Sequence, residues 1–224
     1  MAPRPASVVL VSSGLDSAVL LAHELASYDV RPVYVRSGLA WEAAELRMLS
    51  RLVAAPLLSA IRPLTVVDLP MQDVYPADHW ALTGRPPAYD TPDEDVYLVG
   101  RNLTLLAKAG IVAARADARR IVLGPLAGNP FPDATPAFFG AMAEALSRGL
   151  AYPMSIATPF AALQKAQVIE LGARLGVPLE LTLSCMNPVQ DEHCGLCSKC
   201  RERRDAFAEA GVVDPTPYAH PSPR

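Results

Sequence analysis

This 224-residue chain has no apolar run approaching the roughly 20 residues that a bilayer-spanning helix needs, so a membrane-embedded protein is not expected. It also lacks an excess of charge of either sign. Lys and Arg number 20 against 23 Asp and Glu, for a net charge of -3 and an isoelectric point near 5.8. That balance offers no basic footprint for a nucleic-acid backbone, and no direct nucleic-acid partner is expected. The local cluster Arg201, Arg203 and Arg204 reads as the solvated face of a terminal helix. No charged-then-apolar leader opens the chain, which points to the cytoplasm rather than to secretion. Internal repeats are missing as well.

Cysteine is scarce, and its four copies sit together as Cys185-x8-Cys194-x2-Cys197-x2-Cys200. The two-residue spacings form tight turns that aim thiolates at a common point, and Cys185 returns across a short loop to complete a tetrahedron. Gly195 can supply the positive φ that such a knuckle needs. The expected ligand is Zn²⁺; two structural disulfides are the rival reading, disfavoured in a reducing compartment. His193 could replace one thiolate, but four cysteines already satisfy zinc, so a solvated histidine is expected. A closed four-thiolate shell has no open position, so the metal would be structural.

Apolar residues make up 51% of the chain, enough for a sizeable core. The 22 prolines and 13 glycines gather in two places. Residues 70–100, with Pro76, Pro86, Pro87 and Pro92 among acidic side chains, read as a surface excursion or lid. The tail from Asp214 reads as extended or flexible. The expected organisation is a main domain over 1–183, a zinc segment with a terminal helix over 184–210, and a flexible tail over 211–224.

Between these clusters, short β-branched runs alternate with helical periodicity. Strands are expected at 8–11, 30–35, 64–68 and 120–123, and helices at 17–27, 41–54, 102–116, 135–148 and 163–175, with Asn102 as a helix cap and Gly176 as a stop. Such alternation implies an α/β fold, a doubly wound parallel sheet whose ligand crevice lies beyond the carboxyl ends of its strands. There the sequence places Val11-Ser12-Ser13-Gly14-Leu15-Asp16-Ser17. Backbone N–H groups at a helix N-terminus favour an anion, and Ser12 and Ser17 add hydroxyls. Asp16 is the odd member: a carboxylate beside a phosphate calls for a cation between them, so Mg²⁺ is expected. Serine and aspartate also cap helices that bind nothing. No Gly-Lys-Ser/Thr follows, and Gly-x-Gly-x-x-Gly is missing too.

The loop resembles the Ser-Gly-Gly-x-Asp-Ser loop of the ATP pyrophosphatases, with Ser13 where that superfamily has glycine. Within it the chain is similar to the 7-cyano-7-deazaguanine synthase family from Val8 to about Phe207. The matching stretches are Gly100-Arg101-Asn102-Leu103, Pro132-Asp133, Gln164-Lys165-Ala166, Leu175-Gly176-Val177-Pro178, and Ser184-Cys185 with His193-Cys194-Gly195-x-Cys197-x-x-Cys200. The resemblance implies a Rossmann-like fold of the adenine nucleotide alpha-hydrolase kind, a homodimer, and an ATP-dependent ligase. Such an enzyme turns 7-carboxy-7-deazaguanine and ammonia into 7-cyano-7-deazaguanine through an adenylate and an amide. It implies that Ser12, Gly14, Asp16 and Ser17 hold pyrophosphate, Asp16 through Mg²⁺. Lys165 would neutralise phosphate charge, Arg101 would position phosphate or the substrate carboxylate, and Asp133 would accept from a purine-like ring. Gly124 would let nucleotide and backbone approach; Tyr34 and Trp41 read as core or as base-stacking groups.

Two segments depart from the family. Gly38-Leu39-Ala40-Trp41 stands for Gly-Gln-Arg-His, and Ala127-Gly128-Asn129-Pro130-Phe131 replaces an acidic and tyrosine-bearing stretch. Both would make the pocket less polar, leaving substrate groups unpaired at about 1–3 kcal/mol each. A different carboxylate acceptor is therefore an alternative; Ser13 prompts a second, an ATP-binding module with impaired catalysis, and the shared loop a third, a transfer RNA thiolase. The thiolase needs a cysteine to carry sulfur, and zinc would claim all four.

Overall fold

The computed structural model describes residues 3–223. Five strands, β1 (Ala6–Leu10), β2 (Asp29–Arg36), β3 (Thr65–Asp68), β4 (Arg120–Val122) and β5 (Ser155–Ala157), form one parallel sheet in the order β3-β2-β1-β4-β5. The helices are α1 (Leu15–Glu24), α2 (Glu42–Val53), α3 (Trp80–Thr83), α4 (Arg101–Arg115), α5 (Pro136–Gly149), α6 (Lys165–Leu175) and α7 (Ser198–Glu209). The doubly wound α/β architecture expected from the alternation is present. The β-branched runs do not signal strand β5, where Ser155-Ile156-Ala157 carries one β-branched residue, whereas the equally short β4 carries Ile121 and Val122; α3 is not signalled either. Strand β5 exists by pairing, Ile156 opposite Ile121.

Alternation along each strand sorts the core into two layers. Val9, Val11, Tyr34 and Val122 face α1, α2 and α6, whereas Val8, Leu10, Val33, Val35 and Ile121 face α4 and α5. Val8 and Val9 are both fully buried, as a central strand covered on two faces requires. The chain runs outward from β1 to β3, then returns to start again at β4 on the other side of β1. That reversal opens a crevice beyond the carboxyl ends of β1 and β4, where the loop after each strand diverges from its neighbour.

Three local expectations are corrected. Gly100, with φ 74°, precedes α4 as its N-cap, and Asn102 lies inside the helix. The arginine cluster is not a solvated face. Arg203 is 2% exposed, donating to Thr182 Oγ1 at 2.8 Å, the Leu179 carbonyl at 3.1 Å and Thr216 Oγ1 at 2.6 Å. Arg204 stacks over Tyr218 with its guanidinium carbon 3.8 Å from the ring centre, and Arg201 donates to the Thr91 carbonyl at 3.0 Å. His193 is buried rather than solvated, and its Nε2 accepts the Ser184 N–H at 3.0 Å. Burial, reinforced by Arg203, pushes its pKa down to about 3, so the ring is neutral.

Residues 70–100 hold α3 and a short 3-10 turn; Ala81, Val96 and Leu98 pack with Leu39 and Trp41, and Trp80 stacks on Trp41 at 5.7 Å. The tail runs without helix or strand, yet Ala219 N–H donates to the His193 carbonyl at 2.8 Å and Tyr218 OH to Asp214 at 2.6 Å. Among the described residues no helix is long and apolar enough to cross a membrane.

Candidate active site

The loop between β1 and α1 is bonded to itself. Gly14 N–H donates to Ser12 Oγ at 3.0 Å, Ser12 N–H donates to Ser17 Oγ at 3.2 Å, and Ser17 Oγ lies 2.8 Å from the Ser12 carbonyl and 2.9 Å from that of Gly14. These bonds hold the loop open at the crevice. Ser13 points the other way: it is fully buried, and its Oγ donates to the Leu183 carbonyl at 3.4 Å. Its φ is not positive, so the conformation does not demand glycine. Leu15 is likewise core.

A cavity of about 320 Å³ opens above the loop. Val11, Ser12, Gly14, Asp16, Ser17, Tyr34, Arg101, Asn102, Gly124 and Asp133 line it, together with Tyr97 and Phe131, whose rings stack at 4.9 Å. A second cavity of about 300 Å³ adjoins it, lined by Asp16, Gly124 to Phe131, Gln164, Lys165, Lys199 and Glu202. Asp16 and Gly124 belong to both, so the first loop and the loop after β4 form the threshold between them. The residues 38–41 line neither cavity; Trp41 is core against Trp80, and its apolar character answers to that packing. The segment 127–131 does line the second, as expected of a pocket wall.

Charge at the threshold is organised around Lys165. Its Nζ lies 3.4 Å from Asp16 Oδ2 and donates to Glu202, whose other oxygen accepts from Lys199 Nζ at 2.6 Å. Burial opposes charge on Lys165, but Asp16 and Glu202 outweigh it and hold the ammonium protonated above the usual lysine range. Burial likewise opposes charge on Glu202, yet Lys165 and Lys199 bring its pKa down to about 2. Asp16 is shifted the other way: desolvation raises it more than Lys165 lowers it, and its Oδ1 is buried without a hydrogen-bond partner. A buried carboxylate oxygen left unpaired is costly.

Asp133 is buried, and its carboxylate accepts the Asn102 N–H at 2.9 Å while its carbonyl accepts Asn102 Nδ2 at 3.0 Å. It therefore anchors the start of α4, which carries Arg101 into the cavity. Beneath, Tyr34 donates to Glu45 at 2.5 Å; burial raises the Glu45 pKa and nearby Arg101 partly offsets it.

The four cysteine sulfurs lie within 4.8 Å of one another and form no disulfide. Cys194 and Asn187 donate backbone N–H groups to Cys185 Sγ at 3.2 and 3.3 Å, and Leu196 does so to Cys194 Sγ at 3.3 Å. Donors aimed at sulfur suit thiolates, so the cluster could hold a metal ion. Gly195 has φ 82°, and a Cβ there would stand 2.1 Å from the His220 carbonyl oxygen.

The family model described as queuosine biosynthesis protein QueC matches residues 6–211. The chain belongs to this family. It is 35% identical over 225 residues to the 7-cyano-7-deazaguanine synthase of Anaeromyxobacter dehalogenans, covering 95% of each chain. It is 34% identical over 229 residues to that of Methanopyrus kandleri, covering 95% of this chain and 98% of the relative. The solved structure of a predicted subunit of tRNA methyltransferase from Methanocaldococcus jannaschii is similar at 11% identity and TM-score 0.47, over 93% of this chain and 90% of that one, too weak a likeness to bear on function.

Sequence reasoning about this QueC family chain did not find Glu202 and Lys199. Both sit inside the cysteine knuckle's own helix, where charged residues look solvated, and only the packing of α7 against α6 turns them toward Lys165.

Proposed function

We propose that the chain is an ATP-dependent carbon–nitrogen ligase that converts 7-carboxy-7-deazaguanine and ammonia to 7-cyano-7-deazaguanine. The observation that carries the ATP-dependent part is Asp16, with one buried oxygen unpaired and Lys165 beside the other, at the junction of two cavities. The acceptor rests on the family and on the names of its relatives.

A carboxylate does not react with ammonia until one oxygen becomes a leaving group. Attack of that oxygen on the α-phosphorus of ATP forms the acyl adenylate and releases pyrophosphate. Ammonia then adds to the carbonyl carbon, AMP departs, and a proton is lost to give the amide. A second ATP activates the amide oxygen in the same way, and loss of AMP and two protons leaves the nitrile. The serine hydroxyls and the N–H groups of the loop would bind the phosphates, and Lys165 would neutralise the leaving pyrophosphate. Mg²⁺, when bound, supplies charge neutralisation between phosphate oxygens; Asp16 Oδ1 would hold it. Arg101 would orient the acceptor carboxylate. The stacked pair of Tyr97 and Phe131 would lie against one side of its ring.

For the cysteine cluster the proposed metal is Zn²⁺. Four sulfurs at about 2.3 Å from one centre stand about 3.8 Å apart, which accords with separations of 3.5, 3.9 and 4.0 Å here. A soluble, cytoplasmic homodimer is proposed on the resemblance. Purified, zinc-loaded protein given ATP, Mg²⁺, ammonia and 7-carboxy-7-deazaguanine should release AMP, pyrophosphate and the nitrile; no turnover by folded protein would end this reading. A second reading, a different carboxylate acceptor, draws support from Asp133, whose carboxylate is engaged by Asn102. Pyrophosphate release with another carboxylate, and none with the deazaguanine acid, would decide for it.

A further inference from the structure

How much of Asp16 is open to a ligand depends on a residue outside the loop. Lys165 is shared between two carboxylates, lying 3.4 Å from Asp16 Oδ2 and hydrogen-bonded to Glu202. Glu202 is itself shared, since Lys199 Nζ donates to its second oxygen at 2.6 Å. Both α7 residues start just beyond Cys197, so the cysteine knuckle holds them over the second cavity. A lysine with Asp16 as its sole anion would close onto that carboxylate and compete with any cation for it. Here the competing carboxylate draws it aside, and Asp16 Oδ1 is left buried and unpaired.

We infer that Glu202 is a positioning residue for Lys165: it shares the ammonium with Asp16 Oδ2, leaves the buried Asp16 Oδ1 unclaimed by the lysine so that a divalent cation can take it, and is the partner Lys165 leaves when it turns to a phosphate. Lys199 completes the device. When Lys165 swings to the nucleotide, Lys199 stays on Glu202, so no buried carboxylate is stranded. The cysteine knuckle thus bears on nucleotide binding through the helix it anchors.

This inference rests on the ATP-dependent reading, and titration calorimetry separates the two without needing the acceptor. A non-hydrolysable ATP analogue is titrated into the full, zinc-loaded chain in metal-stripped buffer free of chelator, without Mg²⁺ and at rising MgCl₂. For Glu202→Gln the Mg²⁺ concentration at half-saturation is expected to rise about tenfold, the size of one lost charge-assisted contact, while affinity without Mg²⁺ is unchanged or tighter. Glu202→Asp, which keeps the charge, should restore the Mg²⁺ dependence. An unchanged Mg²⁺ dependence in Glu202→Gln, or equal weakening with and without Mg²⁺ as a merely structural role would produce, overturns the inference. Should Glu202→Gln not fold, Lys199→Gln carries the test. Glu202 must then keep Lys165 for itself, and affinity without Mg²⁺ should fall about tenfold; unchanged affinity overturns the inference. Wild-type protein that binds no analogue under any condition overturns the ATP-dependent reading along with it.

Discussion

Leu183 donates its N–H to the Ser13 carbonyl at 2.8 Å, and Ser13 Oγ donates back to the Leu183 carbonyl at 3.4 Å. Two residues further on stands Cys185, so one pair of hydrogen bonds joins the Ser12–Ser17 loop to the four-cysteine cluster.

Serine at position 13 is therefore a strut. Ser13→Gly should cost about 1 kcal/mol, from the lost hydrogen bond and the added backbone freedom, lowering Tm by roughly 2–4 °C in a chain of this size. Affinity for ATP should stay within about twofold, because the side chain points away from the cavity. A tenfold gain in affinity by calorimetry would show instead that the hydroxyl obstructs the phosphates.

Removing the metal should loosen the loop as well as the knuckle. Chelation, or Cys197→Ser, is expected to lower Tm by roughly ten degrees, about 3 kcal/mol or more. Hydrogen exchange should accelerate at the Leu183 amide and along Ser12 to Ser17. Faster exchange confined to 185–200 would mean that the strut does not transmit.

Asp133→Ala removes an acceptor from the first turn of α4. The expected loss is about 1–2 kcal/mol, together with reduced turnover because Arg101 rides on that turn. Asp133→Asn keeps an acceptor oxygen and should recover most of the stability. A Tm unaffected by Asp133→Ala would reassign the carboxylate to substrate alone.

Glu45 provides a pH signature. Its folded pKa is raised above the ordinary 4.5 by burial, with Arg101 and the Tyr34 hydroxyl pulling the other way and Glu42 adding to the rise. Below the ordinary value both folded and unfolded states hold the proton, and the carboxyl has no net effect. As pH rises past it, the unfolded chain releases the proton first, and the fold loses stability relative to a neutral side chain. Glu45→Gln should thus match wild type near the acid end and melt higher at neutral pH, the gap widening as pH rises. Thermal melts over that range would contradict the assignment if the gap shrank.

Much of this was legible in the sequence wherever chemistry is local. Ser12 to Ser17 are consecutive, and Cys194, Cys197 and Cys200 are spaced by single turns, so their relative geometry follows from short-range backbone constraints. The periodicity placed four of the five strands for the same reason. It failed at β5, where Ser155-Ile156-Ala157 carries one β-branched residue, and at His193, Arg203 and Glu202, where residue type suggests solvent.

The sequence by itself determined a serine-rich loop after a buried strand, a cluster of four cysteines, and an α/β alternation that sets a crevice beyond the carboxyl ends of its strands. Tertiary structure alone decided which charges meet. Ser13 reaches Leu183 across 170 positions, and Lys165 sits between Asp16 and Glu202 because α1, α6 and α7 pack together. Residue type sets what a group can bind; burial and distance, settled only when distant segments close on one core, set what it does bind.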